Sequence, residues 1–131
     1  MKYEEYLKRR NEKFNKLPMR FAFNKEQLEE VKKELNASLE NKLTYLGSGT
    51  FILSKDVHLL EECEESVEKE FKEEMKNYDF VLEAFNYELA NHEFGVTYDI
   101  NESLESLGLT LEEVNKNETY KKALRTALEK Y

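Results

Sequence analysis

The sequence is poor in residues that cross-link, break or flex a chain, with one cysteine, one proline, four glycines and no tryptophan among 131 residues. The single cysteine, Cys63, excludes an intramolecular disulfide. No stretch approaches the roughly 20 apolar residues of a membrane-spanning helix. The first six residues include two glutamates where a secretory signal would be apolar. We therefore expect a protein of the reducing cytoplasm with no membrane partner.

The shortage of glycine and proline also bears on domain organisation. No repeat, low-complexity segment or flexible linker interrupts the chain. With 40% apolar residues at this length, one modest core can be buried and little room is left for a second. We predict a single compact domain over residues 1–131.

Short apolar runs predict three β-strands. Residues 19–23 follow Pro18, and residues 43–46 and 50–54 flank Gly47-Ser48-Gly49, whose glycines permit the positive φ of a tight hairpin. Such short strands need a covering layer, for which the helices of residues 55–90 are the natural candidates. We predict an α+β fold in which a small three-stranded antiparallel sheet is covered by a helical layer and the C-terminal half is rich in helix.

Apolar residues at helical spacing predict the remaining elements. Three helix starts pair an N-cap residue with Glu or Gln three positions later, as a capping box requires: Asn24 with Gln27, Asp99 with Glu102, and Thr110 with Glu113. Ser54 is the predicted N-cap of a long helix, and Gly108 a predicted helix stop. The helices are expected at residues 2–16, 25–35, 55–76 and 78–91, then from about 100 and 111, and at 118–130.

Charge is unevenly distributed along the chain, whose net charge is −8. Residues 1–20 carry +4 and residues 116–131 carry +3, so residues 21–115 carry −15. A field of that sign repels nucleic acid and favours a basic partner. We therefore expect a host or phage protein with a basic surface as partner and regard nucleic acid as an unlikely one.

The densest acidic stretch, residues 61–74, has eight glutamates on a predicted amphipathic helix. A row of carboxylates can imitate a phosphate backbone and occupy the nucleic-acid channel of another protein. The ordinary alternative is a solvent-exposed face that keeps the helix soluble. If the row binds, the predicted contact residues are Glu61, Glu64, Glu65, Glu68 and Glu73.

A second candidate site surrounds His92, where one helical pattern stops and another begins. Glu88 lies one turn earlier, and Glu93 and Asp99 follow closely. This grouping allows metal or acid/base chemistry, yet it lacks the paired histidines or cysteine cluster of a zinc site. In the structural alternative, the side chains of Asn91 and His92 satisfy backbone groups at the helix end and fix a turn at Gly95. We assign no catalytic residue, metal or cofactor.

The third candidate is the basic face of the N-terminal helix, where Lys8, Arg9, Arg10 and Lys13 cluster. These side chains are of the kind that hold DNA or RNA. Three glutamates interrupt the cluster, and the aromatic residues of the helix fit a core stripe better than a base-stacking platform. Any tyrosine or phenylalanine left unburied elsewhere would mark a dimer interface or a partner surface. The oligomeric state is left open.

Three segments carry a resemblance to a known family: residues 15–24 (NKLPMRFAFN), 46–52 (LGSGTFI) and 87–94 (YELANHEF). In order and spacing they resemble small proteins of unassigned function from phages and prophages of gut-type bacteria. The resemblance covers residues 3–115 and implies a mobile-element setting, but no active site. From it and the charge pattern, we expect a non-enzymatic accessory protein of the bacterial host cytoplasm that binds a macromolecule, in one form as an anti-defence inhibitor.

Overall fold

A computed structural model describes the full chain, residues 1–131, as a three-stranded antiparallel sheet with eight α-helices. The chain packs as two compact units. The sheet unit is Lys8–Glu68, and the helical unit is Met1–Leu7 together with Lys69–Tyr131. The α+β fold with a helix-rich C-terminal half is confirmed. The single domain over residues 1–131 stays a prediction.

Seven of the eight helices follow the predicted order with small differences at their ends, and the short helix at Phe94–Thr97 was not predicted. They are α1 (Tyr3–Asn15), α2 (Lys25–Glu34), α3 (Val57–Glu74), α4 (Tyr78–Asn91), α5 (Phe94–Thr97), α6 (Asn101–Ser106), α7 (Leu111–Lys116) and α8 (Glu118–Leu128). None of them combines the length and apolar content required to cross a membrane.

The sheet consists of β1 (Met19–Phe21), β2 (Leu43–Gly47) and β3 (Thr50–Leu53), with β3 in the centre. Both outer strands pair with it antiparallel. The first and third strands end earlier than predicted, since the chain after Phe21 turns into the cap of α2 and the chain after Leu53 enters a 3₁₀ turn.

The hairpin between β2 and β3 depends on its two glycines. Gly47 and Gly49 have φ values of 93° and 77°, a region that residues with a Cβ rarely adopt. The Phe23 ring lies where a Cβ on Gly49 would be, only 2.3 Å from its ideal position. Position 49 is therefore restricted both by its backbone conformation and by the Phe23 ring.

Helix α2 packs on the sheet, whereas the helices of residues 55–90 were expected to cover it. Its N-cap, Asn24, accepts a hydrogen bond from the Gln27 N–H at 2.8 Å, while the Gln27 side chain accepts one from the Phe23 N–H. This reciprocal cap fixes the start of the helix. The buried face of α2 then packs on the sheet in a small core of Ala22, Val31, Leu35 and Leu53.

Ser54 does not cap α3, contrary to the sequence prediction. Ser54–Asp56 form a 3₁₀ turn and α3 begins at Val57. The Ser54 hydroxyl oxygen lies 2.7 Å from that of Thr44, a hydrogen-bonding distance. Because this partner is distant in sequence, the Ser54 side chain does not take the local capping role that it has in isolated helices.

In the helical unit, α4 is the central element. Its buried side chains occupy about half of its circumference, and α8 packs along it through Ala123, Leu124 and Ala127. The Tyr78 hydroxyl donates to Thr126 Oγ1 at 3.2 Å. An aromatic cluster lies in the same unit, formed by Tyr3, Tyr6, Phe71, Phe80 and Tyr87. The other side of α4 carries Asp79, Glu83 and Asn86, as is typical of an amphipathic helix that packs through one face.

Gly108 ends α6 in the predicted way. Its φ is 68°. The Gly108 N–H donates to the Glu105 carbonyl, and the Leu109 N–H donates to the Leu104 carbonyl, both at 2.9 Å. This pair of bonds is a Schellman motif, in which a left-handed residue satisfies the free carbonyls of a helix end.

We expect Gly108→Ala to lower the free energy of unfolding by about 1 kcal/mol, since an L residue is strained at this φ. A Cβ there would meet no atom within 4 Å, so the loss would come from the backbone alone. Urea unfolding measures it. Glu105→Ala, an exposed change in the same helix, is the control and should change stability by less than about 0.5 kcal/mol. Equal effects of the two changes would contradict the assignment.

Candidate functional site

His92 lies at the C-terminus of α4, where the helix is ended by a residue in the left-handed region. That residue is Glu93, with a φ of 53°. The His92 N–H still donates to the Glu88 carbonyl at 2.9 Å, and the Glu93 N–H donates to the Ala90 carbonyl at 3.2 Å. The backbone thus holds the His92 ring at the junction between α4 and the following segment.

The ring of His92 connects α4 to α6. Its Nε2 lies 2.7 Å from Ser106 Oγ and 3.3 Å from Glu88 Oε2, while its Nδ1 lies 3.5 Å from Glu102 Oε2. Glu88 is on α4, whereas the other two residues are on α6. We call these four residues, together with Tyr3, the His92 cluster.

Glu88 is the buried member of the cluster, with 5% of its surface exposed. The Tyr3 hydroxyl donates to its Oε1 at 2.8 Å, and the Ser103 hydroxyl donates to its backbone carbonyl at 3.1 Å. A buried carboxyl group without partners would be strongly destabilising. With Tyr3 on one oxygen and His92 near the other, both carboxyl oxygens of Glu88 have a partner.

Ser106 Oγ lies near one ring nitrogen of His92 and the Glu102 carboxylate lies near the other. The serine and the acidic residue flank the histidine in the same way in the catalytic triad of a hydrolase. Two features oppose that function. The Ser106 hydroxyl donates to the Glu102 carbonyl at 3.1 Å, which leaves its oxygen to accept a hydrogen bond from His92. Ser106 is also the last residue of α6, where free carbonyls rather than N–H groups surround it. An oxyanion needs N–H donors, so the arrangement fits a structural link between two helices better than a nucleophile.

Two of the four residues predicted for this site do not join it. Glu93 is exposed and ends α4. Asp99 is also exposed, and its Oδ1 accepts from the Asn101 N–H at 2.9 Å. No group of three or more His, Cys, Asp or Glu side chains is arranged to hold a metal ion.

Gly95 lies within α5, whereas the structural alternative expects a turn at this residue. The residues with positive φ are its neighbours Glu93 and Tyr98. A Cβ on Gly95 would lie 3.3 Å from the Tyr131 ring. The close approach of that ring, and not backbone conformation, favours glycine at this position.

Three members of the His92 cluster were missed by the sequence analysis. Glu102 and Ser106 follow each other at the i,i+4 spacing of one helix face, a signal that a search centred on His92 alone overlooks. Tyr3 is 85 residues from Glu88, and no local pattern relates the two. Sequence reasoning therefore found the Glu88–His92 pair but not the side chains that complete the cluster.

The second predicted site, on α3, is exposed as a helix face. Glu61, Glu64, Glu65 and Glu68 lie in the part of α3 that belongs to the sheet unit, and all four are exposed. Their spacing places them on one side of a helix. Glu68 also makes an interaction within the chain. Glu73, in the helical unit, is exposed and forms an ion pair with Lys76 at 2.9 Å. We call the first four residues the acidic face.

In the third predicted site, on α1, several basic side chains already interact within the chain. The Lys13 ammonium group donates to Ser66 Oγ at 3.3 Å. Arg9 and Arg10 are likewise engaged in interactions within the chain. Basic side chains that already have internal partners are less suited to holding phosphate groups, so this geometry does not favour nucleic-acid binding by α1.

Comparison with known proteins gives one match. The model of a family described as a family of unknown function, DUF7659, matches residues 2–130. The chain belongs to this family. No curated protein and no solved structure matches it. Membership in DUF7659 confirms the predicted likeness to a family of unassigned function but carries no activity.

We expect Tyr3→Phe to lower the free energy of unfolding by about 1–3 kcal/mol, because it removes the hydrogen bond to a buried carboxyl group without changing ring packing. Thermal or urea unfolding measures the loss. Tyr87→Phe is the matched control, since Tyr87 packs against Tyr3 but is 39% exposed. Equal free energies of unfolding for the two variants would contradict a stabilising role of the Tyr3–Glu88 hydrogen bond.

Proposed function

We propose that the protein is a non-enzymatic binding protein that uses the acidic face of α3 to contact a macromolecule with a basic surface. One observation carries the proposal: four carboxylates at positions i, i+3, i+4 and i+7 of the helix are all exposed. A row of exposed like charges costs electrostatic self-repulsion. A complementary partner relieves that repulsion on binding.

The charge distribution of the whole chain supports the same partner chemistry. Residues 21–115 carry a net charge of −15, and a field of that sign accelerates the approach of a basic partner. Such steering weakens as salt shortens the range of the field, to about 10 Å at 0.1 M ionic strength. Salt-sensitive association is therefore the expected signature of this contact.

The setting that we propose rests on the resemblance of residues 3–115 to phage and prophage proteins. In that setting the protein acts in the cytoplasm of a bacterial host. One form of the proposal is an anti-defence inhibitor whose carboxylates take the place of phosphates in the nucleic-acid channel of a host enzyme. The spacing of carboxylates along α3 supports this form, since a nucleic-acid channel is lined by basic side chains.

The test is affinity capture from bacterial lysate at low and high salt, with the wild-type chain and a variant that changes Glu61, Glu64, Glu65 and Glu68 to Gln. We expect a partner that is captured at low salt, is released at high salt and is lost in the variant, because Gln keeps the side-chain shape but removes the charge.

A matched control changes four exposed glutamates elsewhere to Gln and so removes the same charge: Glu30, Glu40, Glu105 and Glu129. This control should retain the partner. Equal loss in both variants would mean that net charge, and not the acidic face, governs capture. Retention of the partner by the acidic-face variant would refute the proposal.

A second candidate function is metal or acid/base chemistry at His92, and the 3.3 Å distance from His92 Nε2 to Glu88 Oε2 is the observation that favours it. Under this alternative, His92→Asn abolishes metal binding or turnover while the fold is retained. Calorimetric titration with zinc and manganese, followed by screening for hydrolysis of simple esters and phosphoesters, measures this. Identical results for wild type and variant would reject the alternative.

A further inference from the structure

A group of exposed apolar side chains surrounds α5 in the helical unit. Val96 is 78% exposed, Tyr98 is 72% exposed and Tyr131 is 48% exposed. The half-buried Phe94 ring lies between the two tyrosines, with centroids 5.9 Å from Tyr98 and 5.1 Å from Tyr131, and meets both edge-to-face. We call these four residues the aromatic corner.

The backbone is strained at both ends of α5. Tyr98 has a φ of 54°, and Glu93, at the other end of α5, has a φ of 53°. Each left-handed residue of this type costs about 1–2 kcal/mol. Glu93 follows the C-cap of α4 as Asn36 follows that of α2, and Ser48 is in the hairpin tip, positions where such conformations are ordinary. Tyr98, the C-cap of α5, is the one aromatic residue among the four.

Neither the backbone nor the core accounts for an aromatic residue at position 98. Glycine or asparagine would adopt this φ with less strain, and the Tyr98 ring makes an edge contact with one half-buried neighbour while most of it faces solvent. Strain and exposed aromatic surface at the same residue are typical of recognition sites.

The corner is held in one conformation by its own hydrogen bonds. The Glu93 carbonyl accepts from the N–H groups of Val96 and Thr97, at 2.9 and 3.1 Å, and the Phe94 carbonyl accepts from the Tyr98 N–H at 2.8 Å. The Thr97 hydroxyl oxygen accepts from the Asp99 N–H at 3.1 Å. A surface fixed in this way loses little conformational entropy on binding.

Charge identifies the kind of partner. Residues 77–115 contain nine carboxylates and no lysine or arginine. Three of these carboxylates, Glu93, Asp99 and Glu102, are exposed and lie close in sequence to the corner. The basic residue next to the corner in sequence is Lys130. Exposed tyrosine rings within an acidic segment are complementary to arginine, which pairs with carboxylates and stacks on aromatic faces.

We propose that the aromatic corner is a docking surface for a basic, arginine-bearing segment of a partner protein. An aliphatic side chain of that segment packs between Val96 and Tyr98, and its arginines reach the neighbouring carboxylates. This surface belongs to the helical unit and the acidic face to the sheet unit, and the two share no residue. The two proposals therefore succeed or fail independently.

The probe is a short synthetic peptide of arginine and leucine residues, titrated into the isotope-labelled full chain and followed by NMR. We expect the largest amide shift changes at residues 93–102. Tyr98→Gly should weaken binding by about tenfold or more, as the loss of a central tyrosine anchor does. Val96→Ser should weaken binding in the same direction.

The substitutions are chosen so that a loss of folding does not explain a loss of peptide binding. Glycine accepts the φ of residue 98 without strain, and Val96 is exposed, so both variants should unfold no more readily than wild type. Leu39→Ser removes a side chain that is 92% exposed in the sheet unit and should leave peptide binding unchanged. The variant with four Gln residues on the acidic face should also bind as wild type does.

Four outcomes would overturn the proposal. The first is that the amide shift changes centre on residues 61–68, and the second is that Tyr98→Gly binds the peptide within twofold of wild type. The third is that a peptide with serine in place of leucine binds equally well. The fourth is that shift changes at the corner depend on protein concentration alone. The first result places the peptide on the acidic face, and the third makes the contact purely electrostatic. The last makes the occupant a second copy of this chain.

Discussion

The helical unit depends on the carboxyl group of Glu88, which is buried and must therefore be satisfied by partners within the protein. Tyr3 of α1 donates to one oxygen and His92 approaches the other. The backbone carbonyl of the same residue accepts a hydrogen bond from Ser103 of α6. One residue of α4 is thereby hydrogen-bonded to Tyr3, the first residue of α1, and to Ser103 of α6. A hydrophobic residue at position 88 would fill the space but would not select these partners.

Local features of the fold were predictable from the sequence because their partners are close in the chain. Asn24 with Gln27 and Thr110 with Glu113 cap α2 and α7 as predicted. Gly108 stops α6, since few other residues adopt its φ. The hairpin glycines follow from the same reasoning. In each case, the residue and the group that it satisfies lie within five positions of each other.

Predictions were wrong where a distant group competes for the same side chain. Ser54 lies in reach of Thr44 across the sheet and does not cap α3. Asp99 is a local exception, because its Oδ1 accepts from the Asn101 N–H two positions along rather than from Glu102, the expected capping-box partner. The His92 cluster was found only in part, because Tyr3 reaches Glu88 through the tertiary fold. Burial, which makes Glu88 important, is a property of the folded chain that spacing alone does not reveal.

The contact between Phe23 and Gly49 has a consequence for the order of folding. Strands β2 and β3 are adjacent in the chain and can pair as soon as the hairpin closes, whereas β1 pairs with residues about 30 positions away. Contacts of larger sequence separation form more slowly, because a longer loop must be closed. The Phe23 ring can settle on Gly49 only after the hairpin tip exists. A preformed hairpin thus acts as the template on which the first strand and α2 are assembled.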